Sequence, residues 1–324
     1  MPANLPPQYF EAEKNFRSAK TIPEKIMALE TMLAIMPKHK GTDHLRAELR
    51  RRIAKLSEAA DKKMATQRAS MMIEKQGAAQ VAVIGPPNVG KSQLISSITN
   101  ASPTVAEYPF TTQNATPGMM QFENIQIQLI DTPPLVAGSM DFWLPHMLIR
   151  ADGLLVVVNL TQEPLSQVEA IATELEKMRI VLGKTPLTES PEIGHKKALI
   201  VANKIDLSGS SENYLILQDK HKERLPLIAI SAKEGTNLEG LKSEIYRVLD
   251  IIRVYTKAPG KKPDFADPII LDRGSTLEAA AASVHKDFAA KLRYARIWGS
   301  GKHDGVMVKR DHIMQDGDII ELHI

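Results

Sequence analysis

The sequence predicts an α/β protein: a mostly parallel sheet in the middle of the chain, a helical region before it and a small mixed unit after it. Three observations carry this. From Gln80 onward, short apolar runs alternate with helical periodicity, the pattern of parallel strands covered on both faces by helices. Before residue 78, apolar residues recur at every third and fourth place. Beyond about residue 255, a stretch containing Pro, Gly and Lys leads into another short strand and helix pattern. The expected regions are 1–78, 79–254 and 255–324, and a chain of 324 residues can bury a core in each of several domains.

In the first region, Ile26, Leu29, Met32, Leu33 and Met36 form one stripe, and Leu45, Leu49, Ile53 and Leu56 form a second. "PKHKGTDHL" separates them, with Thr42 placed as N-cap of the second, so an antiparallel helix pair is expected. The formal net charge is only +3, yet between Lys38 and Lys75 eleven basic residues face five acidic ones. Such a segment fits a contact with RNA phosphates and also fits a solvated helix face.

With 43% hydrophobic and 24% charged residues the composition is that of an ordinary globular protein. The longest apolar run, "GLLVVVNL", is too short to span a bilayer, and "MPANLPPQYFEAEKNF" lacks the pattern of a secretory signal. A cytoplasmic protein without membrane contact is expected. The absence of cysteine excludes disulfides, thiolate catalysis and thiolate metal sites.

In the middle region "QVAVIG", "IQIQLID", "GLLVVVNL", "KALIVANK" and "LPLIAIS" read as strands, with helices near 90–99, 165–182 and 237–251. "PPLVAGSMDFWLPHML" supplies a loop and a further helix. The final unit reads as strand "IIL", helix "LEAAAASVHKDFAAKL", strand "ARIW" and strands near "VMV" and "DIIELHI". Its charge is nearly balanced; Lys302, His303, Lys309 and Arg310 form a short basic cluster, and the other histidines have no metal-ligand spacing.

Chemistry concentrates in the middle region. "GPPNVGKS", Gly85 to Ser92, matches GxxxxGK(S/T) between a strand and a helix, the context in which backbone N–H groups and a helix N-terminus cradle phosphates. Lys91 brings a charge to the β and γ phosphates and Ser92 can ligate magnesium, which makes Gly85, Asn88, Val89, Gly90, Lys91, Ser92 and Gln93 nucleotide-binding candidates. "NKID" follows a strand: Asp206 can accept from guanine N1–H and its exocyclic amine, Lys204 would pack beside the base, and Asn203 would tie the loop to the phosphate loop. In "ISAK", Ser231, Ala232 and Lys233 end the next strand, with the Ala232 N–H suited to guanine O6. In "YPFTT", Thr112 rather than Thr111 is the candidate to reach magnesium and the γ phosphate.

"GPPNVGKS", "YPFTT", "DTPP", "NKID" and "ISAK" in this order resemble the Obg and DRG branch of translation-factor-like GTPases, the DRG type above all. The segment from Tyr255 to Ile324 resembles a TGS domain, a small β-grasp module, and the basic helical lead-in is similar to that of DRG proteins. The resemblance spans about Gln80 to Ile324. It implies a P-loop GTPase domain binding GTP or GDP with Mg2+, a role near ribosomes or RNA, and a TGS domain available to a protein partner. Asp131 is implied as the DxxG aspartate, completing with Ser92 and Thr112 a magnesium set. Two departures stand out: there is no glycine-rich Obg domain, and Asp131 to Asn203 is too short for the domain that DRG proteins insert.

In "DTPPL", Pro134 takes the place of the glycine whose N–H meets the γ phosphate, and Leu135 stands where many GTPases have a water-orienting glutamine. Related GTPases with a hydrophobic residue there use an asparagine at the position of Asn88 to help hold K+, so Lys91, Thr112 and Asn88 are the implied catalytic residues. The expectation is slow hydrolysis of GTP to GDP and phosphate that regulates a ribosome or RNA contact. The alternative is a guanine-nucleotide-binding scaffold whose switch no longer hydrolyses.

Overall fold

The computed structural model describes residues 6–19, 21–37, 42–70, 73–99, 116–136, 143–183, 194–301 and 303–323. The chain divides into two compact units, residues 1–72 and 73–324.

In the first unit α1 (Pro7–Ser18), α2 (Ile22–Ile35) and α3 (Asp43–Ser70) form a trio where the apolar stripes predicted a pair. Both stripes do face one core: Leu29, Met32, Met36 and Leu49 are buried, with Leu33, Leu45, Ile53 and Leu56 packed against them. The extra helix contributes Tyr9 and Ala12. A capping box starts α2, the Thr21 side chain accepting from the Glu24 N–H while the Glu24 carboxylate accepts from the Thr21 N–H. Arg46, one of the eleven basic residues, donates to the carbonyls of Leu33 and Met36 and so completes the end of α2.

The second unit holds two sheets. The first is built on β1 (Ala79–Ile84), β2 (Thr116–Phe122), β3 (Ile125–Asp131), β4 (Gly153–Asn159), β5 (Ile180–Leu182), β6 (Gly194–Asn203) and β7 (Leu227–Ile230). Its order is β2-β3-β1-β4-β6-β5, with β7 also paired to β6. All pairs are parallel except β2 with β3. Strands β1 and β4 are buried at every position, as a sheet covered on both faces requires. The buried glutamines Gln80 and Gln128 satisfy each other at 2.8 Å, Gln80 Nε2 donating to Gln128 Oε1.

The helices are α4 (Lys91–Ile98), α5 (Leu144–Arg150), α6 (Pro164–Lys177), α7 (Ser210–His221) and α8 (Leu238–Leu249). Leu94, Ile95 and Ile98 of α4 and Leu241, Ile245 and Val248 of α8 share one core with Val81, Val83, Leu155, Val157 and Leu199 of the sheet. The register aligns the carboxyl ends of the central strands: Val83 lies opposite Asp131, and Asn159 and Ile230 flank Asn203. Ligands of open α/β sheets bind at that end.

The second sheet has the order β11-β10-β12-β8-β9. Its strands are β8 (Ile251–Thr256), β9 (Asp264–Asp272), β10 (Tyr294–Trp298), β11 (Val306–Val308) and β12 (Asp318–His323). It starts at Ile251, within the segment read from sequence as the close of the middle region. Strand β8 pairs in parallel with β12, and Ile252, Val254, Ile297 and Ile320 pack on Leu277, Ala280 and Ala281. The last three lie on α9 (Leu277–Val284), which is followed by α10 (Lys286–Lys291). One helix was expected here; extended backbone at His285 breaks it in two. Arg310 of the basic cluster donates to Leu292 O, an anchor for the turn after α10.

Candidate nucleotide site

The loop between β1 and α4 is shaped by glycine where nothing else fits. Gly85 has φ +158°, and a Cβ there would lie 2.4 Å from the Val157 carbonyl oxygen. Gly90 has φ +94°, and its Cβ would lie 2.5 Å from Asn203 Nδ2. The loop therefore lies hard against β4 and the end of β6. Pro86, Pro87 and Asn88 turn outward from the sheet, and Asn88 has φ +60°.

Asn203 is 2% exposed and binds three loops together. Its Nδ2 donates to Val89 O at 2.8 Å, while Oδ1 accepts from Lys204 N at 2.8 Å and from Ala232 N at 3.0 Å. The tie from Asn203 to the phosphate loop is the one anticipated from the sequence. The Ala232 N–H, expected to face a base carbonyl, is already shared with Asn203. Lys204, at φ +71°, reaches back so that Nζ donates to Asn88 O at 2.8 Å, a second link that no sequence signal announced. Ser97 of α4 donates to Ala232 O at 2.8 Å. Ser231 is buried and its hydroxyl accepts from Glu234 N; Asp206 and Lys233 are exposed.

Lys91 is buried beneath the loop, its Nζ donating to Gly85 O at 3.0 Å and Pro86 O at 3.1 Å. Burial lowers its pKa, against a raising influence from Asp131. Asp131 is pushed the other way: burial raises its pKa, while the Ser92 hydrogen bond and the Lys91 charge pull it down. Ser92 Oγ donates to Asp131 Oδ2 at 2.5 Å, and Asp131 Oδ1 is buried without a hydrogen-bond partner. A buried, unpartnered carboxylate oxygen beside a hydroxyl is a hard-oxygen pair, which fits a magnesium ion.

A cleft of about 410 Å³ opens here, lined by Asn88, Gly90, Lys91, Ser92, Gln93, Asp131, Thr132, Pro133 and Pro134. The "DTPP" loop is held by protein atoms. Thr132, buried, donates its hydroxyl to Val83 O at 2.8 Å, and Leu135 N–H donates to Gly85 O at 3.1 Å. Sequence reasoning missed both anchors. "YPFTT", and Thr112 with it, lies outside the described residues.

Residues 80–204 match the family described as 50S ribosome-binding GTPase, and residues 252–324 match the TGS domain. A GTP-binding protein of Methanocaldococcus jannaschii is 30% identical over 94% of this chain and 93% of its own length. Developmentally-regulated GTP-binding protein 1 of Xenopus laevis is 26% identical over 92% of this chain and 98% of its own. Among solved structures, the YchF GTPase of Schizosaccharomyces pombe has the same fold at 14% identity, with a TM-score of 0.55 covering 77% of this chain and 99% of that one. Sheet order, phosphate loop and the three joined loops define a P-loop GTPase domain followed by a TGS domain. The chain belongs to the DRG-like family of TGS-containing GTP-binding proteins.

Proposed function

We propose that this protein binds guanine nucleotide at the Gly85–Gln93 loop, hydrolyses GTP slowly to GDP and phosphate, and uses nucleotide state to regulate a contact with the ribosome or its RNA. The observation that carries the reading is the convergence of three loops on Asn203, because it joins the phosphate loop, beside which a cleft opens toward Asp131 and Pro134, to the loop that carries the Asp206 carboxylate. Family membership supports it, as does the description of the matched GTPase family as ribosome-binding.

Ser92 and Asp131 would hold Mg2+, with Thr112 proposed as the third protein ligand; the ion supplies neutralisation of phosphate charge. The chain's own residues do the rest. Lys91 leaves its two loop carbonyls for the β and γ phosphates, and the N–H groups from Asn88 to Gln93 surround them. The Leu135 side chain has no polar atom to orient water, and its N–H is engaged by Gly85 O, so the orienting group is not a glutamine equivalent, which is the basis for expecting slow turnover. Asn88 exposes its side chain at the mouth of the cleft, where an amide oxygen could help hold K+. Among the described residues no helix is long and apolar enough to cross a membrane.

Multiple-turnover phosphate release from GTP, in K+ and in Na+, with and without ribosomes, tests the reading. Release accelerated by K+ or by ribosomes supports it. Tight GTP binding with no release under any of the four conditions favours the non-hydrolysing scaffold. In competition titrations GTP is expected to outcompete ATP by about a thousand-fold or more, and Asp206→Asn to erase most of that preference, because an amide cannot accept at both guanine donors. Equal affinity of the native chain for both nucleotides would refute the base-reading role.

The basic helical unit is proposed to add a salt-dependent RNA contact through Arg50, Arg51, Arg52 and Lys55. A chain beginning at Ile73 is the right comparison, since residues 73–78 serve the sheet: Gln80 Nε2 donates to Ile73 O, and Gln76 N–H to Gln128 Oε1. The shortened chain should bind ribosomes more weakly and with a shallower slope of log affinity against log salt. Identical slopes for the two chains would leave these helices with a packing role only.

A further inference from the structure

The hairpin of β2 and β3 has one end at the nucleotide site and the other against the TGS sheet. Thr116 pairs with Asp131 at the first end and Phe122 with Ile125 at the second, a span of about 20 Å. Its two-residue turn is Glu123 and Asn124, Glu123 standing at φ +48°. Arg253, on the first strand of the TGS sheet and with its side chain 13% exposed, grips that turn. It forms an ion pair with Glu123 and donates Nη1 to Asn124 Oδ1 at 3.2 Å. On its other side Nη2 and Nε reach the two oxygens of Asp316 at 2.8 and 3.1 Å, and its own N–H donates to Asp316 Oδ1 at 2.7 Å. Asn124 adds bonds from Nδ2 to Tyr255 OH at 2.9 Å and to Phe265 O at 3.1 Å.

The same cluster holds a second arm of the nucleotide site. Helix α8 follows the Ser231–Ala232 loop directly, and Asn237 before it donates to Ala229 O at 3.0 Å. Tyr246 of α8 stacks on Phe122 of the hairpin at 4.9 Å, lies under the Arg253 guanidinium at 5.1 Å and donates its hydroxyl to Asp316 Oδ1 at 2.9 Å. Burial would raise the Asp316 carboxyl, but Arg253 and Tyr246 together hold it below its ordinary range. Burial, reinforced by Asp316, pushes the pKa of the Tyr246 hydroxyl well up.

Two arms, one beginning at Asp131 and the other at the Ser231–Ala232 loop, therefore end on one guanidinium. A packed hairpin moves as a body, so a displacement at Asp131 reaches the turn. We propose that the Arg253 junction is a coupling element through which the phosphate state of the nucleotide sets how firmly the TGS sheet is held to the GTPase domain. The proposal rests on the guanine-nucleotide reading above. Coupling of this kind is reciprocal: whatever factor the γ phosphate imposes on the junction, the junction imposes on the preference for GTP over GDP.

Hydrogen exchange in the full chain, with GDP and with a nonhydrolysable GTP analogue, reads the junction at the Arg253 and Gly317 amides, which donate to Asp316 and to Arg253 O. Their exchange is expected to differ about five-fold or more between the two nucleotides. The triple variant Phe122→Leu, Glu123→Gln, Asn124→Ala cuts the hairpin side, the Phe122–Tyr246 stack included, and leaves the Arg253–Asp316 pair in place. It should abolish the difference and change the analogue-to-GDP affinity ratio by a matching factor. A purely structural junction would shift exchange equally in both states. Protection at Gly85–Gln93 with junction amides indifferent to the nucleotide, or a nucleotide response that survives in the variant, overturns the coupling alone. No response at Gly85–Gln93 to either nucleotide overturns the guanine-nucleotide reading, and the coupling with it.

Discussion

Replacing Asn203 by alanine is expected to weaken guanine-nucleotide binding by about a hundred-fold or more while the two sheets stay folded. Its amide is 2% exposed and serves one acceptor and two donors on three separate loops. Truncation leaves Val89 O, Lys204 N and Ala232 N without those bonds, and each buried group so abandoned costs about 1–3 kcal/mol. Much of this cost falls on the geometry of the site, because all three loops lie at strand ends and the Asn203 side chain touches each of them, whereas the Lys204–Asn88 bond joins two of the three. Every factor of ten in affinity corresponds to about 1.4 kcal/mol, so the three losses together reach the stated effect even at about 1 kcal/mol each. Asn203→Asp should fall between native and alanine, since a carboxylate still accepts from Lys204 and Ala232 but cannot donate to Val89 O. Isothermal titration with GDP, alongside far-UV circular dichroism, makes the measurement. Native affinity in the alanine variant would show that the loops hold their positions without this side chain.

Asn203 was legible because its motif is contiguous and sits at the end of a continuously apolar strand. The neighbouring anchors were not. The Lys204–Asn88 and Leu135–Gly85 bonds join residues far apart in sequence, and one of them uses only backbone atoms, which any residue but proline could supply. The same contrast runs through the fold. The buried central strands were readable as apolar runs, whereas β2, "TPGMMQF", carries Pro117 and Gly118 and is an edge strand. Gly118 is there for packing: a Cβ would lie 2.8 Å from Thr99 Cγ2 and 3.0 Å from Ile95 Cγ2. Helix α7 escaped notice because its apolar residues do not form a stripe; Leu217 is buried while Leu215 and Ile216 are exposed. Strand β8 was hidden because α8 ends at Asp250 in the left-handed region, φ +52°, without the glycine that usually marks such an end. The missed β2 and β8 are two of the elements that meet at Arg253, so the junction could not have been read from the sequence alone.

Replacing Pro134 by glycine is expected to raise the ratio of GTP to GDP affinity by about ten- to a hundred-fold. Proline has no N–H, so position 134 cannot donate to a γ phosphate although it lines the cleft. A hydrogen bond to a charged group is worth about 1.5–3 kcal/mol, which sets the size of the effect. The structure adds a reason why the native loop does not compensate. Its next N–H, that of Leu135, is engaged by Gly85 O at 3.1 Å, and Gly85 O also accepts from Lys91 Nζ. For Leu135 to meet a phosphate it would have to abandon this carbonyl, and Pro133 with Pro134 restricts the backbone rotation that would bring it round. Glycine at 134 supplies an N–H on a residue that lines the cleft and frees the rotation at once. Hydrolysis need not rise in proportion, because Leu135 still gives water no polar partner. The affinity ratio, measured with a nonhydrolysable GTP analogue against GDP, is the deciding quantity. If Pro134→Gly leaves it unchanged, another donor already reads the γ phosphate. The Leu135 N–H is then the first to examine, through Leu135→Pro, which removes that donor and should lower the ratio in turn.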